Sequence, residues 1–419
     1  MKIHKLIALL SMSLLVACNQ DRIVTNSFSS TNDTLTIETT KLKGIGILPS
    51  SSGPLYLRDT ADSFITSIVY PAGITKLRRD EYCIDLKAHA YYSQKKGGTF
   101  AWEKLAADIE NNRIDTSVFL PEAENYINIL EGYVEDKKVV IVDENLNKDL
   151  SDDPIRLLDE IEFLNPDHFV EIRFPMSNGK EIVDEISWIN FRTLEGYEEL
   201  DIGQFEHIVA DFSIDEKQFR VASIQFNSGF TYDQYLPATL LFVLMNDEEN
   251  RVLNASDYLQ LGQFVKLDDQ YYCIEDISHN GGQLILVKEA DFSSKVGIQV
   301  GLLAPEFSCI TEKGDTLHSK NLKDKGIMVV NMCGCSGNNG VFKAYEDMLV
   351  EYGASYHILG VDSHFGPRTT GTLINSEHPF NEEFALNYRQ AYCSFFTYVI
   401  NKEYRIEKKF TTMSWRDFI

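Results

Sequence analysis

The hydrophobic positions of this chain fall mostly on a period of two. From "LTIETTKLKGIGIL" onward, β-branched and aromatic residues alternate with polar ones in runs broken by turn residues: "SFITSIVYPAG", "EYCIDLKAHAYYS", "NYINILEGYV", "KKVVIVDENLN". Such alternation predicts half-buried strands. "HFVEIRFPMSNGKEIVDEISWINF" predicts a hairpin with Asn-Gly at its turn, and "QYYCIEDISHNGGQLILVKEAD" a second across Asn-Gly-Gly. Helical spacing is sparse, and its better candidates are "TFAWEKLAADIENN" and "DPIRLLDEIEFL". The expectation is a β-rich region in two parts, 35–125 and 126–295.

The pattern changes near residue 296. A hairpin leads into the buried strand "GIMVVN" and then the helix "GVFKAYEDMLVEYG", with Val341, Phe342, Tyr345, Met348, Leu349 and Tyr352 on one face. Gly353 is placed to end that helix. A second buried strand, "SYHILGVDS", precedes a loose segment and a helix in "NEEFALNYRQAY". The strand pair "FFTYVINKEYRIEKKF" follows. This β-α-β-α-β-β order predicts a small α/β domain over 296–419. The fold class expected for the whole chain is therefore multidomain α+β.

A third pattern opens the chain. Lys2 and Lys5 precede the apolar run "IALLSMSLLVA", too short to span a bilayer as a mature helix, and the run ends in Leu15-Val16-Ala17-Cys18. Small residues before a cysteine form a lipobox, so 1–18 is expected to be a lipoprotein signal with Cys18 as the lipidated residue. Several acyl chains on one residue give stable anchoring, at about 0.8 kcal/mol per buried methylene. The polar stretch 19–34 then serves as a tether. The expected location is the bacterial cell envelope, anchored to a membrane, with the outer membrane favoured. The membrane is a partner through that anchor.

Charge narrows the partners further. The chain has 39 Lys+Arg against 63 Asp+Glu, a formal net charge of −24 that becomes −26 once Lys2 and Lys5 leave with the signal. Such an acidic surface repels nucleic acid. Seven cysteines are present: Cys18, Cys83, Cys273, Cys309, Cys333, Cys335 and Cys393. Those inside strand-like runs, such as Cys83 and Cys273, read as small buried hydrophobes. Cys333 and Cys335 differ, standing one residue apart in "VVNMCGCSGNNGVF", where a buried strand turns into a helix.

The stretch from about 297 to 415 resembles the thioredoxin-like domain of TlpA-type envelope disulfide reductases, within the wider family that includes peroxiredoxins. The matching landmarks are "GLLAPEF", "GDTLHSKNLKDKGIMVVN", "HILGVDS" and "TYVINKEYRI". The whole chain also looks like lipoproteins of the Bacteroidetes that join a β-rich N-terminal part to such a domain. The resemblance implies thiol–disulfide exchange on the thiols and disulfides of envelope proteins. In redox-active members a C-x-x-C joins strand to helix, and the helix dipole lowers the first thiol's pKa. Aligning on the strand puts Gly337 and Gly340 in the cysteine slots. Aligning on the helix puts Cys335 in the attacking slot and Asn338 in the resolving one, and this register is preferred because the dipole acts at the helix tip. Cys335 is then the attacking thiol, with Cys333 or Cys393 as its partner. A second departure lies at the family's cis-proline, whose place holds Phe396. A cis bond before a non-proline residue costs about 3 kcal/mol, so a trans peptide is expected.

Two readings stand side by side. One is a thiol–disulfide oxidoreductase with Cys335 and Cys333 as its catalytic residues. The other is a redox-inactive thioredoxin-fold binding or scaffold lipoprotein. A peroxidase would need a Pro-x-x-x-Thr/Ser-x-x-Cys loop, and no proline lies within that reach of either cysteine. A copper site would draw on two thiolates and on His357 or His364. "DENLNKDLSDD" sets Asp143, Asn145, Asn147 and Asp149 at the alternate positions of a calcium loop. It has Lys148 and Pro154 where such a loop has Gly and Glu, which favours an Asx-rich turn over a tight site. No motif for an organic cofactor is present.

Overall fold

The structure is a computed structural model. It describes residues 28–31, 33–44, 46, 52–54, 58–59, 68–96, 109–110, 115–193, 200–224, 230–232, 239–245, 257–332, 340–362, 370–389 and 395–419. Contacts divide the chain into two compact units, Met1–Glu248 with Asp276–Leu286, and Glu249–Glu275 with Val287–Ile419. Among the described residues no helix is long and apolar enough to cross a membrane.

The first unit is built from antiparallel strands. β1 (Thr75–Cys83), β2 (Tyr126–Val134) and β3 (Lys137–Val142) form a sheet completed by Arg58–Asp59 and Arg156–Leu157. β4 (Val170–Ser177), β5 (Ile182–Thr193) and β6 (Leu200–Gln204) form a second with Ser52–Pro54, and β7 (Glu206–Ile214), β8 (Lys217–Ile224) and β9 (Thr239–Leu244) a third with Thr40–Lys43. Alternation explains the packing. Val170, Ile172, Phe174 and Met176 of β4 point inward, and they share one core with Ile127 and Ile129 of β2 and Val140 and Val142 of β3. Asn-Gly turns the β4–β5 hairpin as expected, with Gly179 at φ +93°. The strands on either side of the 125/126 boundary drawn from sequence pair with one another, Cys83 opposite Tyr126, and bury side chains in that same core.

Two helix assignments need correction. "LKAHAYYSQK", read as part of a strand, is helix α1 (Leu86–Lys95); Asp85 caps it by accepting from the backbone N–H groups of Lys87 and Ala88 at 2.8 and 3.1 Å. The candidate helix in 153–164 is instead the short strand Arg156–Leu157 and a 3₁₀ turn, Leu158–Glu160. Leu158 there fills the core beside Val140, so tertiary burial overrides helical spacing. The candidate over 99–112 lies largely outside the described residues. The second predicted hairpin exists as β10 (Gln270–Ile277) and β11 (Gln283–Glu289), turning through Gly281 at φ +76°.

The second unit carries β12 (Ser308–Ile310), β13 (Thr316–His318), β14 (Gly326–Asn331), α2 (Gly340–Tyr352), β15 (Tyr356–Asp362), β16 (Thr372–Asn375), α3 (Glu382–Tyr388), β17 (Phe396–Ile400) and β18 (Ile406–Thr411). Its main sheet has the order β16-β15-β14-β17-β18, with β14, β15 and β16 parallel and β17 and β18 antiparallel. β14 is central and buried along its whole length, which is why "GIMVVN" is apolar without alternation. Ile327 and Val329 face one core with Phe384 and Tyr388 of α3; Met328 and Val330 face the other with Val341, Tyr345 and Met348 of α2. The helix face expected on α2 is thus the buried one. The order β14-α2-β15-α3-β17-β18 is as predicted, with one addition: "TLIN", in the segment read as loose, is the edge strand β16.

Candidate functional site

In parallel sheets, ligands and chemistry gather beyond the carboxyl ends of the strands. Here that edge is reached by Asn331 at the end of β14 and Asp362 at the end of β15. The chain leaving β14 passes through the segment holding Cys333 and Cys335 before α2 begins. Cys333, Cys335, Cys393, Cys18 and His364 all lie outside the described residues.

The described floor of this edge is polar and buried. Asn331 is 1% exposed, and its Nδ2 donates to the carbonyls of Tyr388 and Phe396 at 3.1 and 2.8 Å. The Thr412 hydroxyl donates to the Asn331 carbonyl at 3.1 Å and lies 3.0 Å from the Thr397 hydroxyl. These bonds tie the end of β14 to the start of β17 and the end of β18. Beside them Arg389 Nη2 lies 3.6 Å from Asp362 Oδ1, both side chains buried, and the Arg389 guanidinium also donates to the Ser376 hydroxyl. Ser376 in turn donates its backbone N–H to the Asp362 carbonyl at 2.9 Å. A buried ion pair thus joins β15, the turn after β16 and the end of α3. The described backbone has no cis peptide, so Phe396 follows a trans bond as expected.

The described thiols all have their pKa raised, which disfavours the thiolate. Cys309 is enclosed in the core of the second unit, and burial pushes its pKa up to about 12. Burial, with Asp85 nearby, raises the Cys83 thiol well above its ordinary value, and burial raises Cys273 too. Of these only Cys309 is a core residue; Cys83 and Cys273, expected to be buried, are half-buried. His357 is placed at the amino end of β15, five residues and roughly 16 Å of strand from Asp362. Its Nε2 lies 2.8 Å from Asp324 Oδ1. It stands at the opposite edge from the segment after Asn331, which removes it as a third ligand for a copper site there.

Sequence reasoning missed the Asp362–Arg389 pair. The signal was present: Asp362 closes an apolar run, and Arg389 is the one cation in "NEEFALNYRQAY". It also missed a polar cleft of about 530 Å³ in the first unit, lined by His279, Lys87, Asp115 and Lys180 among others. His279 Nε2 there lies 2.9 Å from Asp85 Oδ2, with both side chains buried. No local spacing joins residues so far apart in sequence.

No protein-family model matches the sequence, and no curated protein matches it. Solved structures are similar to part of it. A putative protein disulfide isomerase from Bacteroides thetaiotaomicron is 18% identical, covering 29% of this chain and 84% of its own, with a TM-score of 0.24. The thioredoxin domain of a thiol-disulfide oxidoreductase from Bacteroides vulgatus is 15% identical over 27% of this chain and 89% of its own, with a TM-score of 0.21. The C-terminal domain of a putative thiol-disulfide oxidoreductase from Bacteroides thetaiotaomicron is 16% identical over 27% and 86%, with a TM-score of 0.23. Each of these likenesses covers a little more than a quarter of this chain, at a low TM-score.

Proposed function

We propose that the protein is a lipid-anchored envelope protein of TlpA type whose C-terminal domain exchanges thiols and disulfides with envelope proteins. One observation carries the reading: Cys333 and Cys335 stand in the segment that links the carboxyl end of the central strand β14 to α2. Cys335 thiolate attacks one sulfur of a substrate disulfide, forming a mixed disulfide and releasing the other sulfur as thiolate. Cys333 or Cys393 then attacks the Cys335 sulfur and releases the second substrate thiolate. Two electrons pass to the substrate, and the protein is left with an internal disulfide that a thiol reductant must reopen. Cys18 holds the domain at the membrane; Phe28–Thr31, inside the stretch expected to be tether, is instead a strand paired antiparallel with Thr34–Glu38.

Insulin reduction with dithiothreitol as the thiol reductant tests the reading. The wild type should exceed the uncatalysed rate at least several-fold, and Cys335→Ser should fall to background. Equal background rates for both would leave the redox-inactive scaffold reading, which the trans peptide before Phe396, in the place of the family's cis-proline, favours.

A further inference from the structure

The calcium-like loop after β3 does not behave as its spacing suggests. Asn145 Oδ1 accepts the Asn147 N–H at 3.0 Å, Asn147 Oδ1 the Asp149 N–H at 2.7 Å, and Asp149 Oδ1 the Ser151 N–H at 3.0 Å. Three of the four alternate positions spend their oxygens on Asx turns. Asp143 is different. It is fully buried at the end of β3; its Oδ2 accepts from Asn128 Nδ2 at 3.0 Å and from the Lys148 N–H at 3.2 Å, while its Oδ1 is enclosed with no donor. Asp153 reaches back across the loop, where its Oδ1 accepts the N–H of Glu144, the residue after Asp143, at 3.2 Å; its Oδ2 is likewise enclosed with no donor. Asn128 belongs to β2, outside the loop, and is 1% exposed; it sits against Asp143 with an enclosed Oδ1 that also lacks a donor.

Two carboxylates and one amide, each with an enclosed oxygen that has no donor among the described residues, are therefore linked through Asn128–Asp143 and Glu144–Asp153 contacts, with Asp143 close enough to act on Asp153. Among the described residues no basic side chain acts on either carboxyl: burial raises both, Asp153 to about 6, and the charges that act on each are acidic. Enclosed carboxylate oxygens are ordinarily paired or bound to an ion. We propose that Asp143 and Asp153 bind a hard divalent cation of the calcium class, with the Asn128 amide oxygen and water in the rest of its shell. Among the described residues no three His, Cys, Asp or Glu side chains gather as a ligand set, so neutral oxygens must supply the remainder. Calcium accepts such mixed shells, and two carboxylates place the affinity roughly at 10⁻⁴–10⁻³ M, the range of extracellular modules.

The test is thermal unfolding of the full chain at pH 7 with chelator, 10 mM Ca²⁺ or 10 mM Mg²⁺, beside calcium calorimetry. Ca²⁺ should raise the unit's Tm by roughly 3–5 °C, Mg²⁺ should raise it clearly less, and one calcium should bind per chain. Asp153→Asn should abolish the calcium shift while unfolding no earlier than wild type in chelator. Asp149→Asn should keep the shift. Asp143→Asn should also abolish the shift; if that variant does not fold, Asp153→Asn, at the less buried position, carries the test. The proposal is overturned by no calcium shift, by an equal shift with Mg²⁺, or by a shift that survives Asp153→Asn.

Discussion

Residues that carry charge inside the fold give the sharpest expectations. Replacing Arg389 by Met leaves the buried Asp362 carboxylate without its cation, and removing one partner of such a pair costs about 3 kcal/mol. Urea unfolding should show that loss in the second unit; a change under 0.5 kcal/mol would contradict it. Cys309, with its pKa near 12 and no exposure, should resist iodoacetamide at pH 8 until denaturant is added, whereas rapid alkylation of the native chain would refute the assignment. Asp153 gives a pH effect. Burial, with Asp143 close by, holds its folded carboxyl near 6, above the unfolded value of about 3.9. The folded state then binds more protons between those values, so this group stabilises the fold below about pH 4 and that contribution is lost as pH rises through 6. In chelator, urea midpoints should fall less from pH 4.5 to 7 in Asp153→Asn than in wild type; equal falls would contradict this. Asp362 and Arg389 each stand out in their own segment, but their pairing is a contact across 27 residues that no local period encodes.

Elements were more legible, and the reasons differ from one to the next. β14 and β15 stood out because strands buried on both faces are continuously apolar. α2 stood out because its core residues repeat every three or four positions. α1 was hidden: its tyrosines and the preceding "EYCID" look like strand, and only the Asp85 cap with alanines behind it marks a helix. That cap yields a prediction. Asp85→Ala should destabilise the first unit by about 1 kcal/mol through the cap alone, and by more because the Asp85–His279 contact would go too. An unchanged urea midpoint would remove the cap from the account. The turn between β17 and β18 shows the same tension, since Tyr404 occupies the left-handed region at φ +64° where glycine is usual. Its ring packs on the core of the second unit, and its hydroxyl lies 3.4 Å from the Pro305 carbonyl, contacts a glycine would lack.

For the whole molecule, sequence showed the change of character near 296 but not how the β-rich part divides. Strands from both sides of 125 pair and share one core, and non-local pairing leaves no mark on either strand alone. The proposed membrane location rests on Cys18, so Cys18→Ser should move the protein from the membrane to the soluble fraction on cell fractionation, and retention at the membrane would refute the proposed anchor. The thiols decide the activity. The most direct measurement uses Cys333→Ser/Cys393→Ser, which leaves Cys335 without a resolving partner, incubated with a disulfide-bonded peptide and read by mass spectrometry. A single peptide adduct on Cys335, released by dithiothreitol and absent when Cys335→Ser is added, is the predicted result. A chain that stays at its unmodified mass would contradict the redox account.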